Sequence, residues 1–321
     1  MAVLITDISA LELWDKGLSS RVRLAGEHEL AGLSTDAEER RLIVARNYGV
    51  SAPMQLLSLD GFHGKAKEWD YHVWNQPLPP GSVVRANDEI YVATPEFCFM
   101  RMAPALGFYD SLKLGMEICG AYSTLVPEGR NARKRPPLTN TERLCAYLNR
   151  VFPATGESKA QRVAKLLVDG SASPGETASY AQLCLPYRYG WYGFRKPMLN
   201  QRINLTAREQ RTLGKGYLKA DLLWECDNRF VACEYKGVES HSGEFNLQKD
   251  SIREVVMGNE KVAVVTITHA MLMEPSQMHA VAELLAKLLG RRLRIPGQRF
   301  WETQREARAE LMRSGVCSWV R

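Results

Sequence analysis

Residues 217–237 constrain this chain more than any other stretch. They read Tyr-Leu-Lys-Ala-Asp-Leu-Leu-Trp-Glu-Cys, then Asp-Asn, then Arg-Phe-Val-Ala-Cys-Glu-Tyr-Lys-Gly. Asp227 and Asn228 both tolerate positive φ, so they predict a two-residue hairpin turn between two strands. That turn fixes the register and sets Asp221 directly opposite Glu234. Opposed residues sit about 4.5–5.5 Å apart at Cβ, and like charges placed there are destabilising. Two carboxylates in that position call for a cation between them. Glu234 and Lys236 are two apart, so one strand points both to the same face. A turn shifted by one residue would separate the two acids.

A chain of 321 residues predicts two domains. Its composition, 45% hydrophobic and 24% charged, is that of an ordinary soluble globular protein. No apolar stretch is long enough to span a bilayer, and the N-terminus lacks a basic region followed by a long apolar core. The seven cysteines are scattered with no Cys-x-x-Cys pair. A disulfide framework or zinc knuckle is therefore not expected, and a reducing cytoplasm is the simpler setting. The net charge is +6, mildly basic, and it is unevenly spread. Arg130, Arg133, Lys134 and Arg135 fall within six positions, and Lys287, Arg291, Arg292, Arg294 and Arg299 form a second cluster. Both suit phosphate contacts, and both read equally as a solvated linker and a basic helix end.

Along the chain, short helices are expected at 6–16 and 36–46. Strands are expected at 71–74, 82–85 and 90–93, divided by Pro-Pro-Gly and Asn-Asp turn signals. Thr94-Pro95-Glu96 opens a helix to about residue 105, and residues 110–119 extend the helical part. Residues 1–125 thus read as an α+β domain without a catalytic signature, and the basic, Pro-containing segment 126–138 as a linker. In 139–321, helices are expected at 140–152, 159–169, 174–184, 245–257 and 275–289, and strands at 201–205, 217–224, 229–236 and 261–268. The last strand is nearly all apolar, as a strand buried on both faces should be. A hairpin followed by a helical crossover into such a strand makes a mixed sheet with helices against it. The expected class is α/β, or α+β overall.

In that order, residues 173–268 resemble the PD-(D/E)XK nuclease superfamily, whose core runs αβββαβ, a restriction-endonuclease-like mixed sheet. The branch they resemble is similar to very-short-patch repair endonucleases and also occurs attached to abortive-infection antitoxin-like proteins. The resemblance rests on Ser173-Pro174-Gly175-Glu176-Thr177, Lys219-Ala220-Asp221-Leu222-Leu223-Trp224, Val231-Ala232-Cys233-Glu234-Tyr235-Lys236-Gly237, Asp250-Ser251-Ile252-Arg253 and Val264-Val265-Thr266-Ile267-Thr268. It implies that Asp221 and Glu234 ligate a metal, that Lys236 is the active-site lysine and that Glu176 is an acid contributed by the first helix. Ala220 departs from the Pro often found there. Lys236-Gly237 stands where many relatives of this branch have Asp-Gly, which moves the site toward the general nuclease pattern.

Hard carboxylate oxygens suit Mg²⁺ or Mn²⁺. Lys236 beside them could orient water or stabilise phosphate charge, or simply pair with an acid. Glu176 in a first helical turn is also ordinary helix-end electrostatics. His241, in the loop after the site strand, is a phosphate contact or an exposed loop residue. Arg253 contacts a phosphate or pairs with Asp250 on the same helix. Tyr187, Tyr189, Trp191, Tyr192 and Phe194, interleaved with Arg188, Arg195 and Lys196, could stack bases and neutralise phosphates, and equally could pack over the sheet. The expectation is a cytoplasmic, metal-dependent nuclease acting on DNA, most simply double-stranded. No membrane role is expected. Duplex cutting would favour a homodimer, and the N-terminal domain would be available for a partner protein. The alternative is a non-cleaving DNA-binding or antitoxin-like regulator on a nuclease fold.

Overall fold

The computed structural model describes residues 2–18, 22–30, 33, 36–46, 48–125, 132–151, 157–204, 207, 210, 211, 214, 216–227, 229–237, 262–295 and 297–313. Among these the chain divides into two compact units. One runs to Cys119 and resumes over Ser123–Leu167; the other takes Gly120–Tyr122 and the described residues from Val168 onward.

The first unit is built on β1 (Val3–Ile5), α1 (Asp7–Asp15), β2 (Arg23–Leu24), α2 (Glu27–Leu30), α3 (Ala37–Ala45), β3 (Met54–Ser58), β4 (Gly64–Lys65), β5 (Trp69–Val73), β6 (Val83–Arg85) and β7 (Ile90–Ala93), followed by α4 (Pro95–Met102) and α5 (Phe108–Ile118). Seven strands make one mixed sheet in the order β2-β6-β7-β1-β3-β5-β4, with β1 parallel to β7 and β3 parallel to β5. The central strand β1 is wholly buried, with Leu4 and Ile5 at 1% exposure or less. The turn from β1 into α1 is held by Asp7, whose φ is 51°. Its carboxylate accepts two 3.1 Å hydrogen bonds from the Arg101 guanidinium on α4. A non-glycine residue in the left-handed region is tolerated where surrounding contacts fix it, and this buried bidentate pair is such a contact.

After two-residue strands β8 (Tyr122–Ser123) and β9 (Arg133–Lys134) come α6 (Thr141–Arg150) and α7 (Glu157–Ala164), which pack on α4 and α5. The expected linker does not behave as one where it is described. Leu138 and Thr139 both donate backbone N–H bonds to the Ile118 carbonyl, and the Thr139 hydroxyl donates to Glu96 at 2.5 Å. The unit boundary therefore lies after Leu167, and α6 and α7 belong to the first unit. Their apolar residues Leu144, Leu148, Ala160 and Val163 are buried there.

The second unit holds α8 (Pro174–Cys184), a 3-10 turn at Tyr187–Tyr189, β10 (Met198–Asn204), β11 (Tyr217–Cys226), β12 (Arg229–Lys236), β13 (Val262–Thr268), α9 (His269–Met273), α10 (Pro275–Leu288) and α11 (Gln298–Leu311). Its sheet runs β10-β11-β12-β13, antiparallel twice and then parallel, the mixed pattern expected of a hairpin followed by a crossover. The helix expected at 245–257 lies outside the described residues. Leu222, Leu223, Trp224, Val231, Ala232 and Cys233 are all at most 2% exposed, and each full-sized one contributes roughly 1.5–3 kcal/mol on burial. α8 lies against β11 and β12, and α10 against β13. The six cysteines among the described residues are free thiols. Among the described residues no helix is long and apolar enough to cross a membrane.

Candidate metal and phosphodiester site

The hairpin adopts the register that its turn predicts: Leu222 faces Cys233, Trp224 faces Val231 and Cys226 faces Arg229. Asp221 is the next residue outward from Leu222. There the backbone ladder gives way to a side chain, because Asp221 Oδ2 accepts the Tyr235 backbone N–H at 2.8 Å. Asp221 is thereby pinned beside the Glu234-Tyr235 peptide. Glu234 is only 7% exposed, on a strand whose Val231, Ala232 and Cys233 are fully buried. The Cys233 thiol is pushed up in pKa by burial first, then by the charges of Glu234 and Asp221, so both acids act on the same spot. Lys236 lies opposite Thr268 on β13 and is half-buried.

Glu176 reaches this site from α8. Ser173 caps the helix, accepting the Glu176 N–H at 3.1 Å, and Pro174 follows at the first helical position. The Glu176 carboxyl folds back to accept from the Ala172 N–H at 2.8 Å and from the Ser173 hydroxyl at 3.1 Å. This is a variant of the capping box, with the Ala172 N–H taking the place of the N-cap N–H. Yet Glu176 is 7% exposed, and its pKa rises to about 7, through burial first and then through the charge of Asp221. The helix-end and site readings of Glu176 thus describe one geometry.

Asn200 completes the arrangement and carried no signal in the sequence. It lies on β10 between the pairs Leu199–Leu222 and Gln201–Ala220, so it falls across from Asp221. Its φ is 51°, a conformation that Asn adopts more readily than most residues. The side-chain amide donates to the Gly170 carbonyl at 2.9 Å and to Glu176 Oε2 at 2.6 Å. Two further contacts seat the site strand. The Tyr235 ring lies over Gly175, where an added Cβ would come within 2.0 Å of ring carbon Cε1. The Tyr235 hydroxyl lies 3.4 Å from His269 Nδ1.

The donor set suits a hard divalent cation. By register Asp221 and Glu234 stand opposite each other one step beyond the Leu222–Cys233 pair, and a bound dication would offset the Asp221 charge that adds to burial in raising the Glu176 pKa. Among the described residues no group of three or more His, Cys, Asp or Glu side chains is gathered as a metal cage. Mg²⁺ usually takes one or two protein carboxylates and completes its shell with water and phosphate oxygens, so the Asp221–Glu234 pair meets its need.

The expected nucleic-acid contacts fare unevenly. Arg135 is 8% exposed and committed within its own unit: Nε lies 2.9 Å from Asp15 Oδ1, and the other nitrogens donate to the Pro136 and Glu117 carbonyls. Arg133 also donates to the Asp15 carboxylate. Arg135 is thus enclosed, whereas the Arg133 side chain stays 49% exposed beside its ion pair and Lys134 is exposed. Arg195 is exposed and donates to the Glu225 carbonyl, and Lys196 is exposed. His241 and Arg253 lie outside the described residues. Trp191, Tyr192 and Phe194 are at most 3% exposed, so the aromatic run packs as core at those positions and offers no stacking face.

The chain matches no family model, no curated protein and no solved structure.

Proposed function

We propose that this protein is a Mg²⁺- or Mn²⁺-dependent nuclease that hydrolyses phosphodiester bonds in DNA. The observation that carries this reading is the position of Asp221, fixed on the Tyr235 N–H beside buried Glu234 and close enough to Glu176 to raise its pKa. An interior acid without a task would be costly where it stands, and a buried carboxyl with a raised pKa beside a further acid marks a candidate site of chemistry. The resemblance of residues 173–268 to PD-(D/E)XK nucleases supports the same reading.

A bound dication would polarise the scissile phosphate and lower the pKa of water. Asp221 and Glu234 are the residues that would hold it. Asn200 and the capping contacts hold the Glu176 carboxyl toward Asp221. Lys236, two residues beyond Glu234, supplies a cation for the charge that builds on the phosphate. In the reaction the water oxygen bonds to phosphorus, a bridging P–O bond breaks, and the water proton ends on the leaving oxygen or on solvent.

The test uses linear, circular and single-stranded DNA with Mg²⁺ or Mn²⁺. The wild-type chain should cut in a metal-dependent manner, and Asp221→Ala and Lys236→Ala should each lose at least about a hundredfold in rate. Binding without cleavage under every condition would replace this reading with that of a non-cleaving DNA-binding regulator.

A further inference from the structure

With Arg135 enclosed and the aromatic run largely buried, a nucleic acid at the site would need another surface to lie on. The β10–β11 ribbon offers one. Arg202 and Lys219 lie directly opposite each other across the two strands, and both are exposed. Opposed like charges destabilise a strand pair.

The arginine is also prearranged. Its guanidinium carbon lies 4.4 Å from the centre of the Tyr217 ring, which is 39% exposed and stands opposite Asn204. A stacked guanidinium keeps its fork of N–H donors while losing side-chain freedom in advance of binding. Ile203 and Ala220, between these positions, pack into the apolar cluster of Leu223, Ala232 and Val262. The ribbon is therefore anchored from beneath. Lys219 precedes Asp221 by two residues, about 7 Å of strand, so a phosphate held at Lys219 would lie within about two nucleotides of one at Asp221.

We infer that the β10–β11 ribbon is the surface on which the nucleic-acid backbone lies as it approaches Asp221. Arg202 and Lys219 contact phosphates beside the scissile one, and Tyr217 braces Arg202 and presents a ring face to an unpaired base. The identity of the ligand rests on the nuclease reading.

Binding of a short fluorescein-labelled duplex, followed by anisotropy in EDTA over a salt series, separates the two claims, because no cleavage is required. Arg202→Ala with Lys219→Ala should weaken binding at least about tenfold and flatten the log–log salt slope by about 2. Arg202→Lys should retain most of the affinity. Arg202→Glu should weaken binding further while leaving the melting temperature unchanged or raised, because it sets opposite charges across the strands. That combination excludes unfolding as the cause. Lys67→Ala, at an exposed lysine outside the ribbon, serves as a control and should leave the affinity unchanged, and Lys134→Ala should lower it less than the double variant does.

Equal affinity and salt slope in the double variant would overturn the inference, whether or not the wild-type chain cuts DNA. So would a loss that follows Lys134 instead, or an absence of duplex binding by the wild type. Binding lost with the ribbon in a chain that never cuts would leave the inference standing and remove the nuclease reading.

Discussion

Glu176 shows how one residue can serve a fold and a site together. Its capping contacts close the first turn of α8, while burial and the nearby Asp221 carboxylate raise its pKa from 4.5 to about 7. Between those values the folded chain holds a proton that the unfolded chain has released. Stability must therefore fall as pH rises through that window, by on the order of 3 kcal/mol. Glu176→Gln has no proton to lose there. In EDTA, thermal melts from about pH 5 to about pH 8 should show the wild type losing stability relative to Glu176→Gln, and a constant difference between them would contradict this account. Gly175 makes a second prediction at this scale. Any side chain there enters the Tyr235 ring, so Gly175→Ala should cost about 1–3 kcal/mol in urea melts. Most of that cost should disappear when Tyr235→Ala is introduced in the same chain, a coupling that a double-mutant cycle reads directly.

Among the elements, the hairpin was legible because a short-range signal decides it. A turn of two residues tolerant of positive φ, flanked by β-prone residues, leaves one register, and β11 and β12 adopt it. The bounds of α8 and α3 were legible for a similar reason, since Ser173 and Asp36 announce their own helices by capping them. What stayed hidden is non-local. Arg133 and Arg135 read as a phosphate patch because their carboxylate partner, Asp15, is far away in sequence. Asn200 gave no sign of its role, because neither its left-handed backbone nor its bond to Glu176 follows from neighbours along the chain. β1 and β3 were missed outright: three and five residues give periodicity little to act on. The start of β10 was placed three residues late, at the stretch where Asn200 breaks the regular ladder.

For the whole molecule, the unit boundary makes a prediction. A fragment beginning at residue 139 carries α6 and α7 without the helices that cover them, so Leu144, Leu148, Ala160 and Val163 would face water. A fragment beginning at residue 168 leaves them behind. Among the described residues it gives up the Ala121–Ser171 backbone bond and the Tyr122–Thr177 hydroxyl contact, both within the second unit. Size-exclusion chromatography of the two should find the shorter fragment soluble and monodisperse and the longer one aggregated. The reverse result would restore the boundary to the basic segment. The seven-stranded sheet has a different consequence, one of timing. Its middle strand, β1, is the first to be synthesised, yet it pairs on one side with β3 and on the other with β7, Val3 meeting Ile90. At typical rates of elongation the ribosome needs roughly 5–20 s to deliver that second partner. Until β3 is made, Val3-Leu4-Ile5 is an apolar strand with two open edges, and until β7 is made it keeps one, so a factor that shields nascent chains has a client here.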